Sequence, residues 1–303
     1  MNRFSITVFT PTYNRAHSLP QLYESLCGQD CTDFEWIVVD DGSTDGTKRL
    51  IDTWKEEGNI NIRYYYQENA GKMAAQNFAV DIADSELFVC LDSDDRLSFQ
   101  AISKCRDFWN NFKGEICGFV TYKDLSNILS KGHIVDILKK AENEFTGKAV
   151  HLTDILESGL FGETAIFTRT DILRQNKFPS FQGEKFVTDA YLWEKLDSKY
   201  RFGLMPFISQ ICTYNPDGYS FNYRRLLFAN PLGYRAYHNQ RIALGLPGKI
   251  KSAICYDAIS ARIGFKGFLK DAASPFLYAL MLPAGIAKYI LDSLKLKTFG
   301  KVC

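Results

Sequence analysis

The 303-residue chain lacks paired cysteines, a long uninterrupted apolar run and any strong charge of one sign. Thirty-six Lys and Arg against 35 Asp and Glu leave a net +1, which argues against broad electrostatic binding of nucleic acid. Its eight cysteines (27, 31, 90, 105, 117, 212, 255 and 303) form no C-x-x-C pair. Several sit in apolar stretches, so they read as reduced, buried thiols of a cytoplasmic protein. The opening MNRFSITVFTPTYNRA is interrupted at Pro11 and Asn14, too early for the apolar core of a secretory signal, and none is expected. Nowhere do roughly 20 apolar residues run unbroken, as a spanning helix needs. The nearest segment, 272–287, is uncharged but interrupted by Ser274, Pro275 and Pro283. No G-x-G-x-x-G follows the first apolar segment and no G-K-[ST] loop occurs, which sets aside dehydrogenase and P-loop chemistry. Internal repeats and low-complexity tracts are absent as well.

What is present fits a folded α/β chain, 46% hydrophobic and 14% aromatic. SITVFT (5–10), EWIVVD (35–40), NIRYYYQ (61–67) and LFVCL (87–91) read as strands. SLPQLYESL, GTKRLIDTWKEE and GKMAAQNFAVDIAD read as the helices between them. Ser18 and Gln21 form a capping-box pattern, with Pro20 in the first turn. Such alternation predicts βαβ units and a mostly parallel sheet covered on both faces. In these sheets ligands gather beyond the carboxyl ends of the strands. Three ends should converge there: Thr10–Asn14, Asp40–Ser43 and Asp92–Asp95. Further on, 98–112 reads as a helix, 115–122 as a strand, 133–142 as a short helix in a lysine-rich loop, 162–173 as strand then helix, and 187–200 as a helix. After Pro216 the chain reads as all helical.

The chemical question lies in SELFVCLDSDDRLS (85–98). An apolar strand delivers Asp92, Asp94 and Asp95 to one spot, where carboxylates raise one another's pKa unless a cation sits among them. An EF-hand starting at Asp92 fails, because its fifth, sixth and twelfth places hold Arg96, Leu97 and Ser103. DGSTDGTKRLID from Asp41 comes closer, but it has Ser43 third, ends in Asp52 and follows a strand. A metal-dependent phosphohydrolase of the haloacid-dehalogenase type, with Asp92 as nucleophile, is weakened by Arg96 two residues past the second Asp. A solvated acidic turn is the plain alternative. The remaining reading is a divalent cation, Mg²⁺ or Mn²⁺, held together with a diphosphate. It would absorb charge as a nucleoside diphosphate leaves. On that reading the cluster's positive partner is a metal ion.

TVFTPTYNRA, EWIVVDDGSTDGT, NAGKMAAQNFAVDIADSELFVCLDSDD and FVTDAYLWEKL, in that order over about residues 4–215, resemble the inverting glycosyltransferases of family 2. The resemblance implies the GT-A fold, a Rossmann-like α/β domain, with a UDP-sugar donor, a Mn²⁺ or Mg²⁺ cofactor, and a glycan or lipid-diphosphate-linked acceptor. It implies that Pro11, Thr12 and Tyr13 hold the uridine. Asp41 would accept the uracil ring N–H, a task for an acceptor-only group, with Asp40 supporting the strand end. Lys72, at a helix start, would meet the diphosphate. Asp92 would contact sugar or ribose, and Asp94 would bind the metal, with Asp92 and Asp95 as neighbouring ligands. Inversion needs a base for the acceptor proton. The family's E-D pair is Thr188-Asp189 here, so Asp189 is the expected base and Glu184 its substitute. A non-catalytic nucleotide-sugar-binding relative is the reading if Asp189 is not so placed.

GEKFVTDAYLWEKLDSKYRF, YNPDGYS and NPLGYRAYHNQ further resemble members that build bacterial capsule, exopolysaccharide or O-antigen units. Tyr219, Asn230 and Tyr234 become candidate acceptor contacts. The expected organisation is a catalytic domain over 1–215, with its nucleotide part to about 97 and its acceptor part from 98. A helical extension follows over 216–303. From Lys249 to Lys301 nine Lys/Arg face three Asp, a net of +6. Phe276, Leu280, Pro283, Ala287, Ile290 and Leu294 recur at helical spacing beside Lys288, Lys295 and Lys297. This pattern fits a basic helix at the inner face of the cell membrane, or a stripe packed on the catalytic domain.

Overall fold

The computed structural model describes residues 4–124, 131–158, 164–212 and 219–299, except the side chains of 131–133, 219–221 and 295–299. The first half alternates as β1 (Phe4–Thr12), α1 (Leu19–Cys27), β2 (Phe34–Asp40), α2 (Thr47–Glu57), β3 (Ile62–Tyr66), α3 (Lys72–Ile82) and β4 (Ser85–Cys90). Then come β5 (Arg96–Leu97), α4 (Ala101–Asn111), β6 (Gly118–Asp124), α5 (Lys131–Phe145), α6 (Leu152–Glu157), β7 (Thr164–Arg169) and α7 (Thr170–Gln175). The chain ends with α8 (Ala190–Asp197), β8 (Phe202–Ile211), α9 (Tyr219–Ala229), α10 (Pro231–Ala243), α11 (Lys249–Arg262) and α12 (Pro275–Phe299). It sorts into two compact units, 1–177 with 199–218, and 178–198 with 219–303.

The first unit holds an eight-stranded sheet in the order β3-β2-β1-β4-β7-β6-β8-β5. β3, β2, β1 and β4 run parallel. β7 is antiparallel to β4 and to β6, β6 is parallel to β8, and β5 is antiparallel to β8. β1 and β2 are buried along nearly their whole length because both their faces are covered. Ile6, Val8, Trp36, Val38 and Val89 turn to one face, into a core with Leu22, Leu26, Ile51, Trp54 and Ile102 of α1, α2 and α4. Phe9 and Phe88 stack on the other face at 5.5 Å, the face on which α3 packs. Trp36 is fully buried; its indole N–H donates to Thr10 Oγ1 at 3.0 Å. Burying one such side chain stabilises the fold by about 1.5–3 kcal/mol.

Two local expectations change. Ser18 stands before α1 in a helical conformation, and its hydroxyl donates to the Arg15 carbonyl, so the capping box with Gln21 does not form. A capping Ser needs extended backbone to reach forward. β8 was missed because Pro206 interrupts its pattern. The register jumps from Val120↔Leu204 to Tyr122↔Ile208, so Pro206 sits in a bulge where no ladder bond is asked of it.

The second unit is helical. Tyr256 of α11 and Tyr278 of α12 stack at 4.0 Å in a small core with Ile242 and Ala253. α11 and α12 touch backbone to backbone at Gly285, where an added Cβ would lie 2.3 Å from Asp257 Cβ.

Candidate active site

Parallel pairing of β1 with both β2 and β4 puts their carboxyl ends side by side, with Thr12 opposite Asp40 and Phe9 opposite Cys90. Backbone bonds carry the alignment past the strands, from Asp41 N to Thr12 O at 2.8 Å and from Leu91 N to Phe9 O at 2.8 Å. The first two loops are also laced together. Asn14 N donates to Ser43 Oγ at 2.8 Å, and Thr44 N to Asn14 Oδ1 at 2.8 Å. The three strand ends therefore meet at one edge. Pro11, Thr12, Tyr13, Asp41, Lys72 and Asp92 to Asp95 all lie on the segments that form it.

Each acid there has a distinct environment. Asp40 accepts from Ser43 N (2.7 Å) and from the Tyr64 hydroxyl (2.8 Å), so it supports the strand end. Burial together with that carboxylate pushes the Tyr64 phenol up. Asp41 Oδ1 accepts from Gln67 Nε2 and Ala70 N, each at 2.7 Å, and Oδ2 from Gly71 N at 2.9 Å. It thereby braces the turn that starts α3. Gly42 and Gly71 serve this turn at φ +92° and +93°, where a side chain would be strained. At Gly42 a Cβ would also meet Asn69 N at 3.1 Å. With about four lone-pair sites on a carboxylate, Asp41 Oδ2 keeps one acceptor position. Thr12 is buried and its hydroxyl has no partner among the described residues. Tyr13 is 49% exposed.

The positive partners within the protein are two lysines. Lys72 Nζ is ion-paired with Asp92 Oδ1. Lys123 Nζ, at the end of β6, lies 3.1 Å from Asp95 Oδ2, with both side chains almost wholly buried. Cys212 Sγ also donates to Asp95, at 3.4 Å. Burial pushes the Asp92 carboxyl up, but Lys72 and Lys123 outweigh it and hold the group at about 2. Asp95 is pushed up by burial, with Lys123 opposing. Burial pulls the Lys123 ammonium down, and the two carboxylates more than reverse this, leaving it well above its usual value. Burial raises the Cys90 thiol to about 12. Sequence reasoning missed Lys123. The signal was a lysine directly after the buried strand GFVTY, the same pattern that singled out the acids.

Asp189 lies in the second unit as the N-cap of α8, exposed, with Oδ1 accepting from Ala190 N at 2.9 Å. Thr188 is buried and shares a hydrogen bond with the Tyr223 hydroxyl at 2.9 Å. Glu184 accepts from Leu232 N (2.7 Å) and Gly233 N (2.8 Å), so both its oxygens cap α10. Asn230 accepts from Lys185 N and Phe186 N and donates to Leu226 O, which makes it a brace within the unit. Tyr234 packs edge-on to His238 at 4.6 Å. The Tyr219 side chain lies outside the described residues.

Comparison with known proteins now decides the family. Residues 7–173, more than half the chain, match the profile described as Glycosyl transferase family 2. The chain belongs to that family. TarS of Staphylococcus aureus, a poly(ribitol-phosphate) beta-N-acetylglucosaminyltransferase, is 26% identical over 194 residues, 63% of this chain and 33% of TarS. The GalNAc(5)-diNAcBac-PP-undecaprenol beta-1,3-glucosyltransferase of Campylobacter jejuni is 27% identical over 205 residues, 65% of this chain and 61% of that protein. The chain thus spans about a third of the length of TarS. The crystal structure of TarS 1–349 with UDP-GlcNAc superposes with a TM-score of 0.62 at 17% identity, covering 95% of this chain and 81% of that one. The mannosyltransferase PcManGT from Pyrobaculum calidifontis, in complex with GDP-Man and Mn²⁺, gives 0.52 at 20% identity, covering 96% and 88%. These likenesses establish the GT-A fold, and family membership displaces the phosphohydrolase alternative.

The family resemblance also implies a divalent cation. Among the described residues no three carboxylate, imidazole or thiol groups form a ready cage. Hard carboxylate oxygens on the half-buried Asp92 and Asp94 nevertheless fit a cation held by one or two carboxylates and completed by substrate phosphates.

Proposed function

We propose that this transferase moves a sugar from a UDP-sugar, with inversion, to a glycan or lipid-diphosphate-linked saccharide. The setting would be bacterial cell-surface polysaccharide synthesis at the inner face of the cell membrane. The observation that carries the donor reading is the Lys72–Asp92 pair at the edge where β1, β2 and β4 end. The relatives and neighbours named above support it by the ligands and reactions in their names.

Asp41 Oδ2 takes the uracil imide N–H, while Pro11, the Thr12 hydroxyl and Tyr13 receive the rest of the nucleoside. The first bond of α3 is accepted by Gly71 O from Ala75 N, which leaves the preceding N–H groups pointing out of the helix start. Together with the Lys72 ammonium they favour a diphosphate. Asp92, ionised at any physiological pH, accepts from sugar or ribose hydroxyls. Asp94, with Asp92 and Asp95 beside it, would hold Mn²⁺ or Mg²⁺, whose chemistry when bound would be neutralisation of charge on the diphosphate. Asp189 removes the acceptor hydroxyl proton as that oxygen bonds to the anomeric carbon. The bond from that carbon to the phosphate oxygen breaks, and UDP leaves with the electron pair. Because Glu184 is committed to capping α10, Asp189 is the carboxylate suited to this task. A positioned base contributes about 10²–10⁴ in rate.

The test is incubation with a panel of UDP-sugars, Mn²⁺ and an undecaprenyl-diphosphate-linked sugar, with products read by NMR. A glycoside of inverted anomeric configuration together with UDP is expected. Inorganic phosphate as the product, or donor binding without turnover, would overturn the reading.

A further inference from the structure

Helix α12 wears its apolar residues on the outside. Phe276 is 79% exposed, Leu280 57%, Ile290 51%, Leu291 58% and Leu294 57%, with Ile286 beside them. Every other exposed position from 275 to 294 is alanine or proline. The polar residues turn the other way. Lys288 and Asp292, its charged side chains in that span, are half-buried and paired with each other at 2.6 Å. Tyr278 is fully buried, and Gly285 lies against Asp257 of α11. The stripe foreseen at 276, 280, 283, 287, 290 and 294 is therefore the solvent-facing side of the helix and not its packed side. Soluble monomers rarely leave so long an apolar strip uncovered.

We propose that this face of α12 lies in the surface of an anionic bilayer, embedded in one leaflet with the helix axis along the membrane plane. Charge selects the occupant. The nine Lys and Arg against three Asp from 249 to 301 give +6 in a chain whose total is +1, and anionic headgroups attract such a segment. A second copy of the chain would set +6 against +6. The turn entering α12 repeats the pattern, with exposed Phe265 and Leu269 each followed by an exposed lysine, Lys266 and Lys270. Lying along the surface follows from the neighbour. α11, packed along α12, exposes Lys249, Lys251 and Arg262. A crossing helix would drag them into hydrocarbon, along with the Lys288–Asp292 pair and the Asp257 carboxylate, which has no partner among the described residues. An in-plane helix keeps all of these on the water side.

The inference deepens the reading of a membrane-borne acceptor and rests on it for its purpose, yet its test involves no sugar transfer. The full chain is sedimented with vesicles of phosphatidylcholine alone or with about 30% phosphatidylglycerol. The same is done for F276S/L280S/I290S, whose altered side chains are all exposed. Binding to the anionic vesicles, weakened at least ~10-fold by the triple substitution and by high salt, is expected. UDP affinity should be equal in both proteins, so loss of UDP binding in both would count against the transferase reading alone. Three results would overturn the inference: folded wild-type protein left in the supernatant with either vesicle, protease protection of residues beyond 294 inside sealed vesicles, or a vesicle-independent dimer abolished by the triple substitution.

Discussion

Glu35 in the sheet unit and Asp257 in the helical unit are both completely buried, and they are treated in opposite ways. Glu35 accepts from Thr7 Oγ1 (2.6 Å), Asp84 N (2.7 Å) and Arg63 Nη1 (2.7 Å). Neither oxygen of Asp257 has a partner among the described residues, and the same holds for the Ser260 hydroxyl and both ring nitrogens of His238. Burial pushes Asp257 up to about 7, and pulls His238 down to about 4 with Lys251 and Lys288 adding to the effect. A buried polar group is tolerable when paired and costly when not. The first unit also keeps buried hydroxyls with no partner among the described residues, at Thr12, Thr168 and Thr170, but its fully buried carboxylate is answered by three donors. In the second, α11 and α12 keep unpaired polar groups inside and hydrocarbon outside, which suits a neighbour other than water.

The largest expected effect concerns the second unit's proposed base. Asp189→Asn should lower the transfer rate by about 10²–10⁴ while UDP affinity, measured by calorimetry, stays unchanged. Equal loss of both would show that the second unit's acid acts on folding and not on the acceptor.

Next comes the pairing that defines the first unit. Lys123→Met strands the buried Asp95 carboxylate and should cost about 3–5 kcal/mol, read from the urea midpoint. Adding Asp95→Asn should recover much of that loss. A single variant as stable as wild type would erase the contrast with Asp257.

The smallest effect concerns Asp257 itself. Its folded pKa is raised, so its favourable contribution is complete below about pH 4 and is lost as pH rises towards 7. Asp257→Asn should therefore melt a few degrees higher than wild type at pH 8, at about 2–4 °C per kcal/mol. At pH 5 the advantage should shrink. A difference independent of pH would mean that the carboxyl is hydrated or paired in solution.

How much of this was legible in the sequence depended on whether local pattern or distant contact decided the outcome. The βαβ half was readable because continuous apolar strands and 3.6-residue spacing are local, and the rule that ligands gather at strand ends then brought Asp41, Lys72 and Asp92 together. β8 was hidden by Pro206, which only a bulge against β6 makes tolerable. Lys123 was hidden because its partners lie 28 and 31 positions away along the chain. Within the protein the acids' positive partners are Lys72 and Lys123, where the sequence alone pointed to a metal. The stripe on α12 was read correctly as a stripe, but which way it faces is set by packing at Gly285 and Asp257, where spacing is silent.

The most direct test of the donor site is calorimetric titration of UDP into the full chain with and without Mn²⁺, repeated on Asp94→Ala and Asp41→Ala. The account predicts binding that Mn²⁺ strengthens and that weakens in both variants, by a loss of metal response in the first and of nucleoside contact in the second. Silence towards UDP, GDP and other nucleoside diphosphates, in a protein that is folded, would contradict it.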